Sequence, residues 1–439
     1  MKDWLEKFEK AIAVWAIMYH TNTFVFIFTG TLFVDGGEKG RELPQFSPVL
    51  SIIQWAMYFT IIALGCLRWK QFFRALTRRK CIWMVVILAF ISISWSIVPD
   101  ATFRRSLMLL MTTIVGMYIA FRFTVREQLY IVACALGLLG IMNLLFTLAF
   151  PAYALEVGFH QGDWRGLLPQ KNQLGRLMVL SSIAFYILVS FGQKKHRGWA
   201  IAGLVLSVAL VLLSDSKTAL SVMIMLFVLI PLYRVFRLKY TQALPLAIGL
   251  LILIILLTFV GVNYWNAILA ALGREPNLTG RTALWQALLG RIAERIWFGY
   301  GYQSFWAFRQ VESLDVDYMA GALPHAHNGY LEMLLDMGLA GFVPFALSLF
   351  RGFARSIMWL RLNPSAEGVW PIAYLTYLLF YNVTETSLIV DPSNIFWLMF
   401  SLVTTSILIQ PIRVRQSEDS DRTLLVNTIE QPIAIPERS

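Results

Sequence analysis

The chain has 439 residues, of which 58% are hydrophobic and only 14% charged. Soluble domains carry roughly 45–50% apolar and about 25% charged residues. Together with a mean hydropathy of +0.63, this excludes a soluble enzyme, a disordered chain and a disulfide scaffold, and it demands many membrane spans. The net charge of +11 would suit nucleic acid, but the placement of the basic residues argues against that partner.

A span needs about 20 mostly apolar residues. In chain order, about twelve such stretches are predicted: 11–34, 47–67, 81–98, 103–122, 128–150, 174–191, 198–214, 217–233, 243–262, 330–350, 369–385 and 393–410. The first contains a polar patch, His20-Thr21-Asn22-Thr23. The predicted fold is an all-α integral membrane protein. Residues 1–415 form one transmembrane domain, and 416–439 form a polar, disordered tail. No cleaved signal peptide is read in the first ten residues, which mix acids and bases. Cys66, Cys81 and Cys134 show no Cys-x-x-Cys or His/Cys ligand spacing, so neither a zinc site nor a disulfide framework is expected.

Orientation follows from lysine and arginine placement. With the N-terminus in the cytoplasm, the segments 68–80, 122–127, 192–198, 233–240 and 351–363 and both termini hold most of the 37 basic residues. Every cytoplasmic connection is then basic, and the positive charge becomes a topology signal. Both termini are expected to be cytoplasmic.

Three connections fall on the outer side: 151–173, the short turn Ser214-Asp215-Ser216-Lys217, and 263–329. Loops longer than about 12–15 residues are usually functional or disordered. The last one is expected to be partly helical. Leu284, Trp285, Leu288, Leu289, Ile292 and Ile296 recur at helical spacing within 279–298, with Thr279 as a plausible N-cap. Such a helix lies along the membrane surface or packs on the bundle.

The outer basic residues are not explained by the positive-inside rule. They include Arg104, Arg105, Arg165, Lys171, Arg176, Lys217, Arg281, Arg291 and Arg295. One by one they can snorkel at headgroup depth. As a group converging on one face they suit a large anion such as a diphosphate, because arginine bonds phosphate oxygens in bidentate fashion. Near the end of the long loop stands His325-Ala326-His327-Asn328-Gly329-Tyr330-Leu331-Glu332. A histidine titrates near neutral pH and can act as a general base. Asn328 with Glu332 equally suits a plain helix cap. Two histidines at i, i+2 do not share a helix face, which disfavours a two-histidine metal site. Gly299-Tyr300-Gly301-Tyr302-Gln303-Ser304 reads as a surface turn, with a phosphate-facing turn as the alternative. Glu385 and Asp391 frame the last outer turn and read as charge balance for nearby arginines, with substrate contact as the alternative. His160 and Asp163 leave both a functional and a structural role open.

These pieces resemble a known family. Trp164-Arg165-Gly166…Lys171-Asn172-Gln173-Leu174-Gly175 is similar to the Arg-Gly…Lys-Asn-x-Leu-Gly motif of the O-antigen ligase and polysaccharide polymerase superfamily. Ser214-Asp215-Ser216-Lys217-Thr218 resembles its Ser-Arg-Thr turn, with lysine in place of arginine. Gly280-Arg281-Thr282 with Trp285, Phe298-Gly299-Tyr300-Gly301, His325-x-His327-Asn328-x-Tyr330-Leu331-Glu332 and Gly338-Leu339-x-Gly341 follow its long-loop pattern in order. The resemblance covers roughly 160–345. Upstream, Ser92-Ile93-Ser94-Trp95-Ser96…Pro99…Thr102-x-x-Arg105-Ser106 resembles the exopolysaccharide-polymerase branch.

The resemblance implies an inverting, metal-independent glycosyl transfer on the periplasmic face, without a cofactor. The donor would be an oligosaccharide on undecaprenyl diphosphate, and the acceptor a hydroxyl of a glycan or lipid-linked sugar. It assigns Arg165, Lys217 and Arg281 to the diphosphate and His327 to the base, with Lys171, Asn172, His325 and Arg105 in the second rank. Membrane lipid is a partner, nucleic acid is not, and polysaccharide assembly and export proteins are candidate partners. The leading expectation is a polymerase that builds an exopolysaccharide or O-antigen on another lipid-linked oligosaccharide, and the near alternative is a ligase acting on lipopolysaccharide core. A twelve-span transporter or flippase is the alternative from another class. Transporters place polar sites at the bilayer midplane, whereas polar groups here crowd the outer ends.

Overall fold

The computed structural model describes residues 2–24, 48–157, 161–238, 241–242, 245, 249, 281–306, 325–363, 365–386 and 394–410. Among them the only extended pairing is an isolated bridge between Leu155 and Trp164. The rest is helices and connections. In order, the main helices are α1 (Lys2–Tyr19), α2 (Pro48–Cys66), α3 (Trp69–Thr77), α4 (Lys80–Ile91), α5 (Pro99–Arg122), α6 (Val125–Ala149), α7 (Lys171–Phe191), α8 (Arg197–Leu213), α9 (Lys217–Leu232), α10 (Arg281–Glu294), α11 (Gly329–Leu362), α12 (Ala366–Thr384) and α13 (Ile395–Ile409). Among the described residues, seven helical stretches, overlapping α2, α5 to α9 and α11, are long and apolar enough to cross a membrane, and two further apolar helices are shorter. The chain is an all-α, multi-pass membrane protein. Apart from residues 245 and 249, the span expected at 243–262 lies outside the described residues, as do Thr279 and the tail.

Several element ends differ from the sequence reading, each for a local reason. α1 starts at Lys2, supported by exposed i, i+4 pairs Lys7–Asp3 and Lys10–Glu6. It stops at the polar patch, where Asn22 takes a positive φ of 62° and the His20 carbonyl accepts the amide of Ile395 at 2.8 Å. The basic segment 68–80 holds α3, whose Phe72 and Ala75 are buried while Trp69 and Phe73 are exposed. α5 begins at Pro99, a residue suited to the first helical turn because it has no amide to leave unpaired. The basic stretch 351–363 continues α11 almost to its end.

The bundle is built around α13, whose residues from Ile395 to Ile407 are all buried. In lipid, helices gain little from hydrophobic burial, so close approach and polar contacts hold them together. Gly116 of α5 permits that approach: a Cβ there would overlap the Ser401 hydroxyl and stand 2.7 Å from the Leu398 carbonyl. Trp397 Nε1 donates to Thr113 Oγ1 at 2.8 Å, and Ser406 Oγ donates to Gln128 Oε1 at 2.9 Å. Ile52, Phe59, Val205, Val228 and Phe350 are exposed on outer helices, as lipid-facing positions should be.

At the basic end, the buried carboxylate of Glu9 accepts from Arg68, from Arg122 Nε at 2.6 Å and from the Tyr118 hydroxyl at 3.2 Å. This ties α1 to α3 and α5 across the bundle.

At the other end α11 is broken. Gly338 has φ 57° and ψ −160°, which interrupts the helix. The freed backbone groups are taken up by residues 296–301. Leu339 and Ala340 donate to the carbonyls of Ile296 and Trp297, at 2.8 and 2.9 Å. Tyr300 and Gly301 donate to those of Leu335 and Asp336, also at 2.8 and 2.9 Å. The Gly299–Ser304 turn is therefore an inserted segment and not a surface turn: Tyr302 and Ser304 are 0% exposed. Non-helical backbone is tolerated at such a depth where protein covers it.

Candidate active site

The inserted turn is held by the upstream Ser92…Ser106 motif. Ser92 Oγ accepts the Tyr302 amide at 3.0 Å, Thr102 Oγ1 donates to the Tyr302 carbonyl at 3.2 Å, and Arg105 donates to the Gln303 carbonyl. Arg105 thus serves backbone placement here. Tyr300 donates to Glu294 Oε2 at 2.8 Å, and burial together with that carboxylate pushes its phenol up to about 12.

On this packing rests α10. Leu284, Leu288 and Ile292 are buried with Leu335 of α11, Tyr300 and Phe305, so the periodic face packs on the bundle. Arg281 opens this helix. One turn on, Trp285 Nε1 donates to the Ala326 carbonyl at 2.8 Å. The Ala326 amide donates to Glu332 Oε2 at 2.9 Å, and Trp306 donates to the other oxygen of that carboxylate. Asn328 caps α11 by accepting from Tyr330 and Leu331. The cap reading of this motif is met by Asn328, and neither histidine takes part in the cap.

His327 takes φ 49°, and its ring lies 4.1 Å from that of His325 between centroids. Its Nδ1 is 3.4 Å from Glu385 Oε2, with both side chains largely buried. The His325 Nδ1 is 3.5 Å from the Thr386 hydroxyl. Glu385, read from sequence as charge balance, is therefore a partner of His327.

The remaining sequence candidates gather at the same end. Arg165 is buried and donates to the carbonyls of Leu155 and Tyr153, at 3.3 and 2.8 Å. The turn that places it depends on Gly166, φ 62°, where a Cβ would overlap the Asn143 amide. Lys171 pairs with Asp163 at 2.6 Å. Trp164 donates its amide to the Leu213 carbonyl at 3.1 Å, and Ser216 Oγ donates to Asn172 Oδ1 at 2.8 Å, joining this loop to the 214–217 turn. Lys217 pairs with Asp215 at 2.9 Å, both exposed. Arg176, one turn into α7, donates to the Thr386 carbonyl at 3.3 Å and lies 5.2 Å over the Phe396 ring. Through Thr386 the basic loop reaches the histidine pair. His160 and Asp391 lie outside the described residues. Among the described residues no group of three or more His, Cys, Asp or Glu could hold a metal ion.

Residues 202–346 match the model of a family described as O-antigen ligase. The match spans 145 of the 439 residues. Over 285 residues it is 28% identical to the exopolysaccharide production protein ExoQ of Rhizobium meliloti (strain 1021), a match covering 62% of this chain and 64% of that protein. The alignment thus spans slightly under two thirds of the relative's length. Both findings support the superfamily resemblance carried by the motifs. The matched region contains Lys217, Arg281, the histidine pair and the Gly338 break. Arg165, Lys171, Asn172 and Arg176 precede it and Glu385 follows it, and packing joins these outlying residues to it.

Proposed function

We propose that this chain is a polysaccharide polymerase of the inner membrane. In this reading it transfers a glycan from undecaprenyl diphosphate to a sugar hydroxyl at the periplasmic face, with inversion and without a metal ion. The observation that carries the reading is the meeting of His327 with Glu385, beside a basic loop, in a chain whose residues 202–346 match the O-antigen ligase family. The acceptor hydroxyl is a weak nucleophile until a base takes its proton, and His327 fills that role. The oxygen forms its bond to the anomeric carbon as the bond to phosphate breaks on the opposite face. The electron pair leaves with the lipid diphosphate. Arg165, Lys217 and Arg281 offset the negative charge that grows there. Lys217 contributes a point charge rather than a fork.

The name of the ExoQ relative, an exopolysaccharide production protein, supports a part in making an exopolysaccharide. The family description supports the second reading, an O-antigen ligase that uses lipopolysaccharide core as acceptor. Purified protein supplied only with a lipid-diphosphate-linked oligosaccharide separates them: chain growth is expected of a polymerase, while a ligase stays silent until core is added. His327→Ala should abolish transfer, a loss of about 10²–10⁴-fold, and leave donor binding intact. A well-folded His327→Ala protein with near-normal transfer would remove His327 from the mechanism.

A further inference from the structure

His325 and His327 are two residues apart, yet their rings face one another. The left-handed backbone of His327 turns the chain, and Ala326 between them is pinned by Trp285 on its carbonyl and Glu332 on its amide. The two imidazoles meet opposite surroundings at the same atom. His327 Nδ1 faces Glu385 Oε2 at 3.4 Å. An ionised carboxylate only accepts, so the proton sits on Nδ1 and Nε2 is left as a lone pair. His325 Nδ1 receives the backbone N–H of His327 at 3.3 Å, and the Thr386 hydroxyl stands 3.5 Å from the same nitrogen. A backbone N–H only donates, so His325 Nδ1 is the acceptor and the proton of the neutral ring sits on Nε2.

We infer that the pair is divided by tautomer: His327 presents a lone pair to the acceptor hydroxyl, and His325 presents an N–H to an anionic oxygen of the lipid diphosphate. This rests on the glycan-transfer reading above and adds a second substrate-contacting histidine and two positioning residues, Glu385 and Thr386.

Arg176 points to the same anion. It is fixed on the Thr386 carbonyl and over Phe396. Its Nε is buried without a hydrogen-bond partner, and among the described residues no carboxylate pairs with it. An ionisable side chain within a span is by default a candidate functional group. In the transfer step the hydroxyl proton passes to His327 Nε2. The diphosphate departs with the bonding electron pair and keeps the hydrogen bond from His325 without taking its proton.

The test uses the full chain in lipid nanodiscs with undecaprenyl diphosphate as the probe, and polymer formation in cells lacking the native copy. The amide nitrogen of glutamine can stand where Nε2 stood, whereas asparagine is too short. His325→Gln should therefore bind the probe within about threefold of the unmodified protein, and His325→Asn should bind about 10–100-fold more weakly, the range for a hydrogen bond to a charged group. His327→Gln and His327→Asn should bind normally and make no polymer. Glu385→Gln keeps an acceptor for Nδ1–H, so it should retain more polymer formation than Glu385→Ala, with binding unchanged in both. Equal binding by the two His325 variants, or His327 variants that bind as weakly as His325→Asn, overturns the division. If the unmodified protein does not bind undecaprenyl diphosphate, the glycan-transfer reading fails, and the division with it. Size-exclusion profiles identify folded variants, and where His325→Asn does not fold, His325→Ala read against His325→Gln decides the binding half.

Discussion

Replacing Gly338 by alanine should unseat the segment that braces the histidine loop. At φ 57° and ψ −160° Gly338 occupies a region open almost only to glycine, and a side chain there costs about 1–3 kcal/mol. The new Cβ would also stand 2.5 Å from the Phe298 amide nitrogen and the Trp297 carbonyl oxygen. These are backbone atoms and cannot swing aside. Relief requires the 296–301 segment to move and release some of the four backbone hydrogen bonds that satisfy the break. Each buried group left unpaired costs about 1–3 kcal/mol. Loss of even two bonds together with the conformational strain therefore exceeds about 4 kcal/mol, a large part of a typical total stability of about 5–15 kcal/mol. The readout is thermal unfolding of the detergent-purified protein. At roughly 2 °C per kcal/mol for large domains, Tm should fall by about 8 °C or more. Gly290→Ala is the control: it sits in α10 with open space around its Cβ, and alanine there should stabilise by about 0.5–1 kcal/mol. A Gly338→Ala protein that unfolds within 2–3 °C of the unmodified chain, a shift of about 1 kcal/mol, would refute the bracing role of the insert.

With Cys66, Cys81 and Cys134 replaced, cysteines at Arg74 and Glu275 should label oppositely with an impermeant thiol reagent on intact cells. Labelling of position 74 from outside would overturn the orientation. Transfer should continue in excess EDTA, because arginine and lysine take the place of a cation at the diphosphate; a loss restored by magnesium or manganese would contradict that. Glu9→Gln should destabilise the chain by about 3–5 kcal/mol, since it leaves Arg68 and Arg122 at a buried site without their shared carboxylate. Unfolding of the Glu9→Gln protein within 1–2 °C of the unmodified chain would show that the network carries little of the fold.

The membrane class and the helix positions were legible from the chain because each depends on a run of neighbours. Apolar stretches of span length, Asn328 as a cap and the periodic face of 284–292 all act within one element. The candidate site was legible as residue types: basic residues outside the positive-inside pattern and two histidines at a loop end. The partnerships were not. Glu385 lies 58 residues beyond His327, and no local pattern distinguishes it from a carboxylate that only balances charge. Arg105 and Arg281 look alike as basic residues, but packing gives Arg105 the Gln303 carbonyl and puts Arg281 at the head of the helix that pins Ala326. Gly299 and Gly338, thirty-nine positions apart, became one feature only when a broken helix needed foreign backbone to satisfy its amides and carbonyls. Local sequence determines which segments can be helices. The demand that every buried polar group find a partner decides which distant segments meet, and only the tertiary structure shows how that demand is met.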